Sequence, residues 1–251
     1  MTHALCIEAR FAGPPGSGNG GYTAGRLAGF VGRAAAGDSG SPLTVTLRRP
    51  PPLDRPLTIS EVGTRTTLCD SEVLIAEAES GAFVAEPPSN VVVKAARQAE
   101  TAYAGRGKHP FPGCFVCGTD RRPGEGLLLT PRLVGPGQTA CVWRPDAALS
   151  AGGVGKRGDL VADEFVWAAL DCPGGWTSDL AARPLVLGRM TASCRMAARV
   201  GEDYVVVGRL LGTSGRKTHT ATALYDSGGQ LLARAEHTWI AIDIATFPTP
   251  S

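Results

Sequence analysis

Twice along the chain the sequence places a helix after a strand or two and before a meander of strands. In the first half the alternating segment "ALCIEARF" precedes a helix over about residues 22–35, followed by strands near 43–48, 57–66 and 67–78. In the second, strands near 126–134 and 138–143 lead through the glycine-rich loop "SAGGVGKRGD" into the helix "DEFVWAALDC". Four strands follow, near 187–199, 203–211, 218–225 and 231–242. Between the halves, prolines, a short helix near 92–103 and further Gly and Pro punctuation read as a linker. The division is therefore 1–84, a linker over 85–113, and 114–251. A helix with an apolar stripe must cover a sheet, so each unit is expected to be an α+β layer pair: an antiparallel sheet wrapped on one central helix. The halves share a phrase, "LIAEAES" (74–80) against "LLARAEHT" (231–238), which sets Glu79 on Glu236 and suggests a duplicated unit.

Composition narrows the partners. The 251 residues are 43% apolar and 19% charged, enough for a substantial core, and 25 basic against 23 acidic residues are mixed along the chain. No basic patch interleaved with aromatics points to nucleic acid. No apolar run is long enough to span a bilayer and no signal peptide is evident, so no membrane partner and a cytoplasmic location are expected. Seven cysteines, an odd number, suit reduced thiols.

Three stretches stand out: "GNGGYTAGRLAG", "FVWAALDCPGGW" and "LLARAEHTWIAI". Together they resemble the double hotdog acyl-CoA thioesterases. "GNGGYTAGRLAG" resembles the Gly-Gly helix entry of the thioesterase II branch, and the His-Gly-Gly entry of the phenylacetyl-CoA branch with Asn19 in place of His. "FVWAALDCPGGW" is similar to the helix carrying the catalytic Asp, which puts that role on Asp171. "LLARAEHTWIAI" resembles the final strand, where the thioesterase II branch has Gln and this chain has Glu236. Thr191 matches by rough position the Thr that helps that branch orient its water. The resemblance implies an acyl-CoA thioester as substrate, no cofactor, and a site built from the Gly-Gly entry of one unit and the carboxylate of the other. A homodimer is expected separately, because exposed sheet edges are usually covered.

The residues support that chemistry on their own terms. Thioester hydrolysis needs a base to activate water and donors aimed at the developing oxyanion. The first amides of a helix are free donors, and glycine lets a carbonyl approach them, so Asn19, Gly20 and Gly21 read as a cradle. The competing reading makes Asn19 an N-cap and the glycines a turn. Small residues at Ala24, Gly25, Ala28, Gly29 and Gly32 would let another backbone come close. Asp171 closes a buried segment, a setting that raises a carboxyl pKa towards that of a useful base. Alternatively it ends the helix before Pro173, where the dipole opposes an acid. The first helix has only Ala28 and Gly29 where another carboxylate would sit, and the helix of the later half enters through Ala162, Asp163 and Glu164. One site per chain follows, and two analogue-bound sites per chain would contradict it.

Glu236 beside Asp171 would couple the two carboxyls. His237 should face the other side of the strand from Glu236, and both Thr191 and His237 also read as ordinary strand surface. Cys114 and Cys117 form a CxxC five residues after His109, which invites zinc. No further CxxC or His pair completes four ligands, and Cys141, Cys172 or Cys194 could do so only by coincidence of fold, so a turn without metal is expected. A serine-hydrolase elbow, a P-loop and a zincin motif are lacking, and "GSGNGG" lacks the βα context of a dinucleotide site. The alternative to hydrolysis is a hotdog that binds acyl-CoA or another lipid-like ligand without turnover. The acyl group itself is not legible.

Overall fold

The meander expected after each helix is present, but its strands join into one antiparallel sheet of eleven strands rather than two sheets. The structure, a computed structural model, describes residues 3–31, 40–101, 103–151 and 159–247. The strands are β1 (His3–Cys6), β2 (Leu43–Leu47), β3 (Pro56–Val62), β4 (Arg65–Asp70), β5 (Val73–Ser80), β6 (Arg132–Gly135), β7 (Gln138–Trp143), β8 (Leu185–Cys194), β9 (Tyr204–Ser214), β10 (Lys217–Asp226) and β11 (Leu231–Ala241). Their spatial order is β1-β3-β4-β5-β2-β8-β11-β10-β9-β7-β6. The halves meet at β2 and β8, where Thr44 stands opposite Thr191 and Val45 opposite Met190. Left apart, both strands would expose a row of unpaired amides and carbonyls; pairing them satisfies both at once. The expected stretch 57–78 forms three strands, because turns at Gly63 and Ser71, both with positive φ, divide it.

Outward from the junction, β2-β5-β4-β3-β1 and β8-β11-β10-β9-β7 have the same chain order, with β6 added at the far edge. Thr44 pairs with Glu79 and Thr191 with Glu236, so the two glutamates flank the junction at matching positions.

Helices α1 (Gly20–Ala28) and α3 (Asp163–Gly175) lie antiparallel on one face of this sheet. Gly25 makes their approach possible, since a Cβ there would stand 2.7 Å from the Cα of Glu164. The core between helices and sheet includes Leu27, Leu68, Trp167, Leu170, Met190 and Val206, all buried. Helix α1 ends at Ala28, with a turn at Gly29 and Phe30, short of the expected end near residue 35; Gly32 and residues 33–35 lie outside the described residues, as does most of the loop after Ser150. Helix α3 runs four residues past Asp171, through Pro173, which cannot donate a backbone hydrogen bond. Hydroxyls from the sheet supply donors around that proline: Thr222 donates to the Leu170 carbonyl at 2.8 Å and Thr139 to that of Pro173 at 2.7 Å.

The linker is docked on the opposite face. Its helix α2 (Val93–Glu100) buries Ala96 among Ala140, Val205, Val207 and Tyr225, so β9 is covered on both sides. Tyr225 donates its hydroxyl to the Pro88 carbonyl, and Glu100 accepts the Val142 amide at the sheet margin. Glu236 belongs to this outer face. It accepts the Val84 amide at 3.0 and 3.1 Å and the Ala85 amide at 2.7 Å, and lies 3.6 Å from Arg234. Charge-assisted bonds of this kind contribute roughly 1.5–3 kcal/mol each. Glu236→Ala is therefore expected to destabilise the fold by about 2 kcal/mol, read as a lowered denaturation midpoint. An unchanged midpoint would show that these bonds do not hold the segment to the sheet.

Candidate functional site

The entry to α1 and the body of α3 meet at Asp171. Asn19 caps α1 in the expected way, its Oδ1 accepting the Tyr22 amide at 2.9 Å. The same side chain does more than cap. Its Nδ2 donates to Asp171 Oδ2 at 3.0 Å, and the Gly21 amide donates to that same oxygen at 3.0 Å. Capping and carboxylate binding are thus one arrangement, not rival readings of Asn19. Glycine at 21 is required by the approach, because a Cβ would lie 2.5 Å from the Cβ of Asp171.

Asp171 Oδ1 is buried and has no hydrogen-bond partner among the described residues. Burial pushes the carboxyl up to about 7, from an ordinary 3.8; the Gly21 amide opposes this, the neighbouring Cys114 adds to it and the Asn19 amide opposes it. Gly20, the first residue of α1, keeps an amide with no acceptor among the described residues. Asp171 and Gly20 border one cavity of about 40 Å³, with Asn19, His109, Cys114, Leu187 and Trp239 also in its wall. That volume admits a water molecule, which needs on the order of 10–15 Å³ by the same measure. Gly20 and Leu187 also border an outer groove of about 210 Å³ with Pro14, Leu47, Arg49 and Pro51.

Of the residues singled out from sequence, Asn19, Gly20, Gly21 and Asp171 come together, whereas Thr191 and Glu236 do not join them. Strand alternation decides this. His237 points at α3, so Glu236 and its cross-strand neighbour Thr191 point to the outer face. There the Thr191 hydroxyl pairs with that of Thr44 at 2.7 Å. His237 is buried rather than on the surface; its Nδ1 lies 3.2 Å from Thr220 Oγ1, and burial pulls its pKa down to about 3, leaving the ring neutral.

A cluster of thiols lies against the carboxylate. The sulfurs of Cys114, Cys117 and Cys172 lie within 4.8 Å of one another, all buried, and Asn19 Nδ2 stands 3.8 Å from Cys114 Sγ. Hydrogen bonds from Cys117 and then Cys172 hold the Cys114 thiol well below its ordinary range. The third cysteine comes from α3, 58 residues from Cys114, and no spacing rule in the sequence connects the two. His109 accepts the Phe111 amide on Nδ1 at 2.9 Å, and burial lowers its pKa.

No protein-family model matches the sequence, and no curated protein matches it. Solved structures do. The chain is similar to a TesB protein of Mycobacterium avium subspecies paratuberculosis, at 12% identity and a TM-score of 0.62, covering 96% of this chain and 93% of that one. It is similar to the acyl-CoA thioesterase II TesB2 of Mycobacterium marinum, at 11% identity and a TM-score of 0.57, covering 99% and 94%. A conserved protein of unknown function with the hot dog fold from Alicyclobacillus acidocaldarius matches at 12% identity and a TM-score of 0.56, covering 96% and 93%. At such identities the likeness establishes the fold: this chain has the hotdog fold. Among the described residues no helix is long and apolar enough to cross a membrane.

Proposed function

We propose that the chain hydrolyses a thioester of the acyl-CoA class, with Asp171 as the base. One observation carries the reading: Asp171, whose buried Oδ1 has no partner among the described residues, borders the same small cavity as Gly20, the first residue of a helix. A water in that cavity gives its proton to Asp171 Oδ1 as its oxygen attacks the thioester carbon. The Gly20 amide, with the positive end of α1 behind it, stabilises the oxyanion. Collapse of the intermediate breaks the carbon–sulfur bond, and the proton on Asp171 passes to the departing thiolate. The products are a carboxylic acid and a thiol.

The roles within the entry triplet divide. Gly21 and Asn19 hold Asp171 by Oδ2, which leaves Oδ1 for water and the Gly20 amide for substrate. The outer groove supplies a route to Gly20, and Arg49, exposed at its rim, suits a phosphate of the carrier. The similarity in fold to proteins named as acyl-CoA thioesterases supports the same substrate class. The topological match between the halves fits a duplicated unit of which only one composite site has kept its carboxylate, since Ala28 is the ninth residue of α1, as Asp171 is of α3.

A panel of acyl-CoA thioesters assayed with a thiol-detecting dye tests the proposal. Turnover with at least one chain class is expected. No thiol release from any of them, together with saturable binding, would establish the non-catalytic alternative. The base must be ionised to accept a proton, so kcat/KM is expected to rise tenfold per pH unit below about 7 and to level off above it. A rate that falls across that range would remove Asp171 from the role.

A further inference from the structure

The three buried thiols take no step in the proposed hydrolysis, although they border the same cavity as Asp171, and they have a geometry of their own. Cys114 and Cys117 lie on one tight turn, and Cys172 is presented by α3. All seven cysteines are unbridged. Cys114 Sγ and Cys172 Sγ are 3.7 Å apart, far beyond a disulfide bond of about 2.05 Å. In a tetrahedral zinc site with Zn–S bonds of about 2.3 Å, two sulfurs stand about 3.8 Å apart. That pair already has the spacing of two corners of such a tetrahedron, and the remaining sulfur is within 4.8 Å of both. Gly118 closes the turn; a Cβ there would stand 2.4 Å from the carbonyl oxygens of Cys114 and Pro112.

We propose that Cys114, Cys117 and Cys172 bind a thiophilic divalent cation, zinc by preference, as three thiolates. Soft sulfur donors in tetrahedral disposition select zinc over the oxygen-seeking cations. His109 is not the fourth ligand. Its Nδ1 accepts the Phe111 amide, so the neutral ring carries its proton on Nε2, and that buried atom has no acceptor among the described residues. The ring is disposed to donate a hydrogen bond, and the fourth corner is left to a small ligand in the cavity that all three cysteines border. The ion would tie the 114–117 turn to α3, whatever reaction the chain carries out.

The test is the metal content of the full-length chain purified without chelator from zinc-supplemented cells, together with cobalt titration of the zinc-stripped protein. Near-stoichiometric zinc is expected in the wild type, with the intense absorption of thiolate-bound tetrahedral cobalt. Cys117→Ser should lower zinc affinity at least tenfold, while Cys141→Ser, a buried cysteine away from the cluster, should keep it. If Cys117→Ser fails to fold, the cobalt spectrum of the wild type decides alone. Absence of the thiolate–cobalt bands, or zinc content equal in the wild type and a folded Cys117→Ser variant, overturns the proposal. Absence of thioester hydrolysis by the zinc-bound wild type would instead count against the proposed reaction and leave the metal site standing.

Discussion

Asp171→Asn is expected to cut thioester hydrolysis by roughly 10²–10⁴-fold, the usual contribution of a positioned general base. Its Oδ atom can still accept from Asn19 and Gly21, so the entry to α1 should stay in place. The same substitution should change stability in a pH-dependent way. The folded carboxyl holds its proton up to about pH 7, whereas in the unfolded chain it ionises near 3.8. Stability from this group is therefore complete at low pH and is lost progressively as pH rises from about 4 to about 7. Asparagine carries no such loss. Relative to the wild type, the variant should gain roughly 2–3 kcal/mol between pH 5 and pH 8, measured by denaturant unfolding at the two values. A variant that is inactive but equally pH-sensitive in stability would mean that Asp171 is ionised in the fold from the start.

Gly21→Ala is the other large effect. Its added methyl would stand 2.5 Å from Asp171 Cβ and 2.9 Å from the Trp167 carbonyl oxygen, and neither helix backbone can yield locally. Overpacking of this kind costs about 1–3 kcal/mol. The helices must part, and a separation of even about 1 Å can cost on the order of 100-fold in rate. Turnover should fall with the midpoint of unfolding. Gly29→Ala is the matched control: it lies at the C-cap of the same helix in a right-handed conformation, with the nearest atom 3.5 Å from a new Cβ. There alanine is expected to be neutral or stabilising by up to about 1 kcal/mol. Equal damage from both would show that α1 tolerates no methyl anywhere, and the contact with Asp171 would lose its special standing.

Much of this arrangement was legible along the chain because its causes are local. Alternation located most strands of the sheet, the small and apolar residues marked α1 and α3, and the Asn-Gly-Gly entry announced a helix start with free amides. The repeated phrase set Glu79 on Glu236, and the two occupy matching registers opposite Thr44 and Thr191. Asp171 stood out because a carboxylate inside "FVWAAL" and its flanks is costly without a partner. Thr191 and Glu236 were misplaced for a different reason. Similarity of position along a strand does not say which face a residue takes, and a step of one residue reverses it.

What the sequence alone determined was the kind of element each segment forms and the chemistry each side chain could offer, since both depend on neighbours a few residues away. Only the tertiary structure decided that β2 and β8 fuse the halves into one sheet. It likewise brought Gly21 against Asp171, 150 residues on, and a helical cysteine to the CxxC turn. Those contacts arise from packing two helices, one from each half, against a single shared sheet, a condition imposed by the whole chain that no short window of sequence contains.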